Sequence, residues 1–289
     1  MKSPWLRWLS RIAVLASFGL IGWFLWKNAD ELRGVDWDLL TVPVLLGLLL
    51  YGLALGLQGA VWIELFSILT STPWTLEDVK TYFMTHLMRR LPGAPWYMAG
   101  RAAVYRERSP EASRAALAVS FVEWGGIILS GLPWLALGCW GWGAAVLAFC
   151  LLLLVIVPLR HWKWPRRWVA LDHFSFRSLA TALVMYESQW LLAAIILHLL
   201  LRALTPAYAP DFLETGAIWA MSGIVSSLAV FAPAGLGIRE LSLVGLLEST
   251  IGLSYAMVVA LLMRVIFTIG DMLWGMLVWL AFALGTRKK

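Results

Sequence analysis

Seven ionisable residues fall inside, or at the edge of, long apolar runs: Arg101, Glu123, Glu187, Arg239, Glu240, Arg264 and Asp271. A charge at mid-bilayer costs roughly 2.5–3.5 kcal/mol on insertion scales, so each needs a partner or a polar cavity. Guanidinium groups at such depth suit a phosphate or carboxylate, which they grip through paired hydrogen bonds. Carboxylates suit the opposite task, neutralising those arginines or carrying protons. The charges also come with polar faces. Ser113, Ser120, Glu123 and Ser130 fall on one helix face, Glu187 shares a face with His198, and Arg264, Thr268 and Asp271 share another. Such faces turn inward, because lipid is the worse surrounding. Buried ion pairs that merely hold a bundle together, such as Arg264 with Glu123 or Glu187, are the competing explanation.

Two stretches organise these residues. Phe231-Ala-Pro-Ala-Gly-Leu-Gly-Ile-Arg-Glu240 interrupts an apolar region with Pro233, Gly235, Gly237, Arg239 and Glu240. Leu91-Pro-Gly-Ala-Pro-Trp-Tyr-Met-Ala-Gly-Arg101 repeats the order Pro, Gly, then Gly followed by Arg, and is preceded by Arg89 and Arg90. Broken backbone is tolerated in a bilayer only where it packs on protein or lines a wet cavity. Paired Pro/Gly interruptions in two halves of a chain point to a transporter's binding site. The glycines allow close backbone approach to a ligand. Helices are expected to begin after Gly237 and around Gly100-Arg101, and a helix N-terminus beside an arginine binds anions. A plain Pro/Gly kink is the alternative.

The elements around them are helical. Of 289 residues, 61% are hydrophobic and 14% charged, and mean hydropathy is +0.78. This excludes an ordinary soluble domain. The expected fold is all-α and polytopic, one transmembrane domain over residues 1–289 with about eight spans and re-entrant segments near 76–101 and 231–252. The spans are expected near 8–27, 42–70, 111–137, 141–159, 178–203, 212–232, 239–252 and 255–284. Gly52-x-x-x-Gly56 in the second is a close-packing pattern, and Gln58 and Glu64 lie near that span's end. Thr75 to Asp78 and Ser109-Pro110 read as helix starts, as does Asp211. Placing both termini in the cytoplasm puts the basic 71–114 and 160–177 segments and the tail on one side, as the positive-inside rule requires, provided 239–252 crosses or nearly crosses. Tryptophans flanking the runs, Trp37, Trp74, Trp140 and Trp142 among them, form an interfacial belt.

Other chemistries lack their residues. No zinc-protease, nucleophile-elbow or phosphate-loop motif occurs. The four histidines are scattered without metal-ligand spacing, so no metal and no cofactor is expected. Cys139 and Cys150 are eleven helical residues apart, roughly 16 Å, too far for a disulfide. The basic, tryptophan-rich 160–167 cluster suits anionic lipid head groups rather than nucleic acid.

Arg89-Arg90-Leu-Pro-Gly, Gly100-Arg101, Glu123, Pro233-x-Gly-x-Gly-x-Arg239-Glu240 and Arg264 together resemble the lysylphosphatidylglycerol synthase/flippase transmembrane family, over roughly residues 10–285. Ala234 stands where that family usually has glycine. The resemblance implies a prokaryotic cell-membrane protein that moves lipids between leaflets, such as aminoacyl-phospholipids or polyprenyl-phosphate-linked sugars. It implies no enzymatic activity, since the soluble synthase domain is absent. Arg101 and Arg239 would then hold the lipid phosphate, with Glu123, Glu187 and Asp271 neutralising them or carrying protons. The partners expected are membrane lipids with anionic head groups; a homo-oligomer is left open. Two other readings stay in play: a membrane enzyme acting on a lipid-linked substrate, with Glu240 as its acid or base, and a non-catalytic membrane scaffold with dry breaks and fully paired charges.

Overall fold

The computed structural model describes residues 37–86, 96–161, 174–228 and 237–285, together with Trp26. The expected first span, Arg89, Arg90, Pro233 and Gly235 lie outside the described residues, as do most of both breaks. Among the described residues the secondary structure is helical throughout: α1 (Asp38–Thr70), α2 (Leu76–His86), α3 (Trp96–Arg106), α4 (Pro110–Ser130), α5 (Leu132–Trp140), α6 (Trp142–His161), α7 (Phe176–Leu204), α8 (Phe212–Leu228), α9 (Ile238–Ile251) and α10 (Leu253–Gly285).

Local chemistry sets the ends. Ser109 caps α4 by accepting the Ala112 N–H at 3.0 Å, with Pro110 in the first turn. Ser175 caps α7 and Asp211 caps α8 in the same way. The start of α2 is more elaborate. The Asp78 carboxylate accepts the Thr75 N–H at 2.7 Å and its hydroxyl at 2.8 Å. It also accepts the Tyr105 hydroxyl at 2.8 Å and Arg108 at 3.1 Å, which ties α2 to α3. Burial alone would raise the Asp78 carboxyl, but these donors and the Arg108 charge outweigh it and hold the group below its ordinary value. Burial, then the hydrogen bond to Asp78 and that carboxylate's charge, push the Tyr105 phenol far above its own.

Among the described residues four helical stretches are long and apolar enough to cross a membrane: Asp38–Thr70, Pro110–Gly138, Phe176–Leu204 and Leu253–Leu284. Trp142–Leu152 and Phe212–Leu228 are shorter and apolar. This is the make-up of a helical membrane protein. The eight expected spans are not all reproduced. At 1.5 Å per residue the 14 residues of α9 reach about 21 Å, short of a bilayer core of about 30 Å. Trp37, Trp74, Trp140 and Trp142 are exposed, as a belt requires. The chain reverses at Gly141, whose φ of 81° an L side chain resists. Cys139 and Cys150 therefore sit on different helices, α5 and α6, and the helical spacing that was to separate them does not apply; Cys150 is a free, exposed thiol.

Two hydrophobic clusters form the interior. One is built around Leu197, Leu200, Trp219, Leu247 and Val259, the other around Trp62, Phe66, Tyr82, Val119 and Tyr186. Tyr51 and Ile127 pack against both. Glycines receive aromatic rings where helices cross. A Cβ on Gly52 would stand 2.0 Å from Trp274, and one on Gly270 2.4 Å from Tyr51, so α1 and α10 notch into each other reciprocally. Gly126 receives Tyr186 and Gly216 receives Trp134 in the same manner. Gly56 faces open space, so the expected Gly-x-x-x-Gly contact reduces to its first glycine.

Candidate functional site

Between the two clusters lies a cavity of about 120 Å³. Its aromatic and aliphatic wall includes Tyr51, Trp190, Trp219 and Phe267, and its polar wall is Gln58, His86, Gln189 and Arg239. Lining residues come from α1, α2, α7, α8 and α10, with Arg239 arriving from the start of α9 and Ile127 from α4. None of the described lining residues is acidic.

Arg239 is placed by the helix start that the sequence indicates. Gly237, at φ 86°, precedes α9, and its N–H is accepted by Glu240 at 3.0 Å. Glu240 thereby supplies the negative charge that a helix N-terminus favours, and its other oxygen takes Arg264 at 2.5 Å. Arg264 thus pairs with Glu240, not with Glu123 or Glu187 as the buried-pair alternative had it. Glu240 spends both oxygens, leaving little for the acid or base that the enzyme reading asks of it. Arg239 lays its guanidinium 3.8 Å from the Trp219 ring centre, a stack that holds the charge at the cavity wall.

Arg101 is a different case. α3 begins at Trp96, so Gly100 and Arg101 lie within the helix and not at its free N-terminus, contrary to expectation. Arg101 is fully buried. It donates to Glu123 at 2.5 Å and to Thr85 at 3.2 Å, and its guanidinium lies between Tyr82, Trp62 and Tyr97 at 4.2, 4.9 and 5.1 Å. The remaining oxygen of Glu123 accepts Gln58 at 2.7 Å and Tyr82 at 2.9 Å. Ser120, on the predicted polar face, accepts Trp62. Arg101 thus stands behind the cavity, one residue removed through Glu123 and Gln58, with its charge neutralised.

Asp271 stands behind another part of the wall, at Tyr51 and His86. Tyr51 donates to it in a very short hydrogen bond, and His86 Nε2 lies 3.6 Å from its Oδ1. Both Asp271 and His86 are buried. Glu187 joins none of this. One of its oxygens accepts Trp134 at 3.1 Å and the other is buried without a hydrogen-bond partner among the described residues. The structure therefore brings Arg101, Glu123, Arg239 and Asp271 around one cavity, keeps Glu240 and Arg264 as a pair beside it, and leaves Glu187 apart.

Three wall residues carry more than the sequence suggested. Gln58 is an amide inside a span, a signal that was available. Gln189 lies two residues from Glu187, and its amide nitrogen is buried with no partner among the described residues. His86 gave no signal, being a single histidine on a short amphipathic helix. Among the described residues no cluster of His, Cys, Asp or Glu could hold a metal ion. No family model and no curated protein matches the chain.

Proposed function

We propose that this protein is a lipid transporter of the membrane, moving a phosphate-containing lipid between leaflets, and that it belongs with the flippase family its motifs resemble. The observation that carries the proposal is the cavity: a guanidinium on an indole face, two amides and a histidine among apolar helices, with no carboxylate in the wall among the described residues. A low-dielectric pocket with a guanidinium in its wall favours an anion. A scaffold has no need of it and would pair every buried polar group, whereas Gln189 and Glu187 each keep an atom without a hydrogen-bond partner among the described residues. In this reading Arg239 holds the phosphate. Arg101 and Glu123 orient Gln58 from behind, and Asp271 does the same for His86. The acyl or prenyl chain stays in the bilayer. The proposed setting is a prokaryotic cell membrane with both termini cytoplasmic.

The test is transport in proteoliposomes by the full chain. Arg239→Ala should abolish movement of a fluorescent phosphate lipid between leaflets while the protein elutes as a folded species. Transport at the wild-type rate by that variant would remove Arg239 from the site and the proposal with it.

A further inference from the structure

The two amides in the cavity wall are not equivalent. Gln58 of α1 gives its amide nitrogen to Glu123 at 2.7 Å. Gln189 of α7 also lines the cavity, and its amide nitrogen is buried without a hydrogen-bond partner among the described residues. A buried donor left unmet is costly and rare in folded proteins. An acceptor on the cavity's occupant would meet it, and the neighbours of Gln189 say which kind. The next residue, Trp190, is held by its indole N–H, which donates to the Ile127 carbonyl and the Ser130 hydroxyl, both at 3.0 Å. Its ring and the Arg239 guanidinium converge on Gly223 of α8. A Cβ there would stand 2.6 Å from the ring and 3.1 Å from Arg239 Nη2. One wall of the cavity thus carries a neutral N–H donor from α7 and a cation from α9. Arginine stays charged and an amide does not ionise, so this pair of donors works without any change of protonation.

Resting on the transport reading above, we propose that Gln189 is a direct contact to the ligand: it donates its amide N–H to one oxygen of the phosphate while Arg239 takes another. The phosphate then bridges α7 and α9. Monoesters and diesters both offer two free oxygens, so the pair reads the phosphate group and leaves its ester arms alone. Gln58, with its nitrogen given to Glu123, is not the donor.

The experiment measures binding by titration calorimetry to the full chain in maltoside micelles, which carry no phosphate, with short-chain phosphatidylglycerol and inorganic phosphate as probes. Gln189→Leu removes the donor and should weaken binding roughly tenfold or more, the loss expected for a hydrogen bond to a charged group. Gln189→Glu keeps the shape but sets a carboxylate in the wall, which repels the anion and competes for Arg239, so it should bind more weakly than the leucine variant. A side chain that serves only packing gives the reverse order, because the near-isosteric glutamate then disturbs least. Gln189→Met stands in for the leucine variant if that one does not fold. Inorganic phosphate that competes would make the free ion a sufficient ligand; failure to compete would make the lipid the source. Either supports the inference when Gln189→Leu weakens the probe that binds. Binding by Gln189→Leu within about twofold of wild type, or tighter binding by Gln189→Glu than by Gln189→Leu, overturns it. If that happens while Arg239→Ala still abolishes transport, the transport reading survives alone; if no probe binds the wild type, both fall.

Discussion

Replacing Arg101 by Met tests how the site is supported. The guanidinium is fully buried, pairs with Glu123 at 2.5 Å and lies among three aromatic rings. Removing it strands the Glu123 carboxylate, which keeps only the neutral donors Gln58 and Tyr82. Breaking one partner of a buried pair costs about 3–5 kcal/mol. Glu123→Gln should cost less, about 1–3 kcal/mol, because the three rings still hold the cation, and a desolvated cation–π contact is worth about 2 kcal/mol. The amide of that variant can still accept from Gln58 and Tyr82. The double variant R101M/E123Q leaves no uncompensated charge. Its loss should be about 2–3 kcal/mol smaller than the sum of the single losses. Reversible unfolding in mixed micelles, followed by tryptophan fluorescence, gives all three values. Additivity within about 0.5 kcal/mol would show that the two side chains do not depend on each other, and the argument that Arg101 orients Gln58 through Glu123 would collapse.

Three further outcomes are expected. Asp78 has a folded-state pKa below its ordinary value of 3.8, so its contribution is complete above about pH 4 and is lost as pH falls through the folded value. Asp78→Asn should cost about 1–2 kcal/mol at pH 7, with little from the half-exposed Arg108, and the gap to wild type should close in unfolding curves recorded at progressively lower pH. Gly52→Ala should destabilise by about 1–3 kcal/mol through overpacking, since its methyl meets Trp274, whereas Gly56→Ala should leave the melting temperature unchanged or raise it. Glu240→Ala should cost about 1–2 kcal/mol by uncapping α9 and should also weaken protection of the Arg264 region in hydrogen exchange.

Much of the helix plan is legible in the chain because its ends are written in local chemistry. Ser109-Pro110, Thr75 with Asp78, Asp211 and Gly237 each mark a start that the structure places within a residue or two. The polar face of α4 is legible too, since Ser120 and Glu123 recur at helical spacing and both are buried. Pairing is not legible. Glu123 takes Arg101 and Glu240 takes Arg264, and nothing in spacing distinguishes these from the exchanged pairs, because the choice depends on which helices are neighbours. Arg101 shows the same limit. Its Gly100-Arg101 resembles the Gly237-Ile-Arg239 of the second break, but α3 starts five residues earlier, so one arginine lies inside a helix and the other beside a helix start. His86 is illegible for a third reason: its importance comes from Asp271, 185 positions later in the chain.

The reciprocal glycine notches bear on how such a bundle can move. Tyr51 seated at Gly270 and Trp274 seated at Gly52 act as two dowels between α1 and α10, and Trp274 adds a hydrogen bond to the Leu48 carbonyl at 3.1 Å. Sliding one helix along the other by a single turn would drive both rings into backbone. The pair must therefore travel as one rigid bar, and Tyr186 at Gly126 does the same for α4 and α7. The cavity is lined from both bars, by Tyr51 and Phe267 on one and by Ile127 and Gln189 on the other. Any parting of these two stiff pieces would carry Tyr51 and Asp271 with the first and Gln189 with the second.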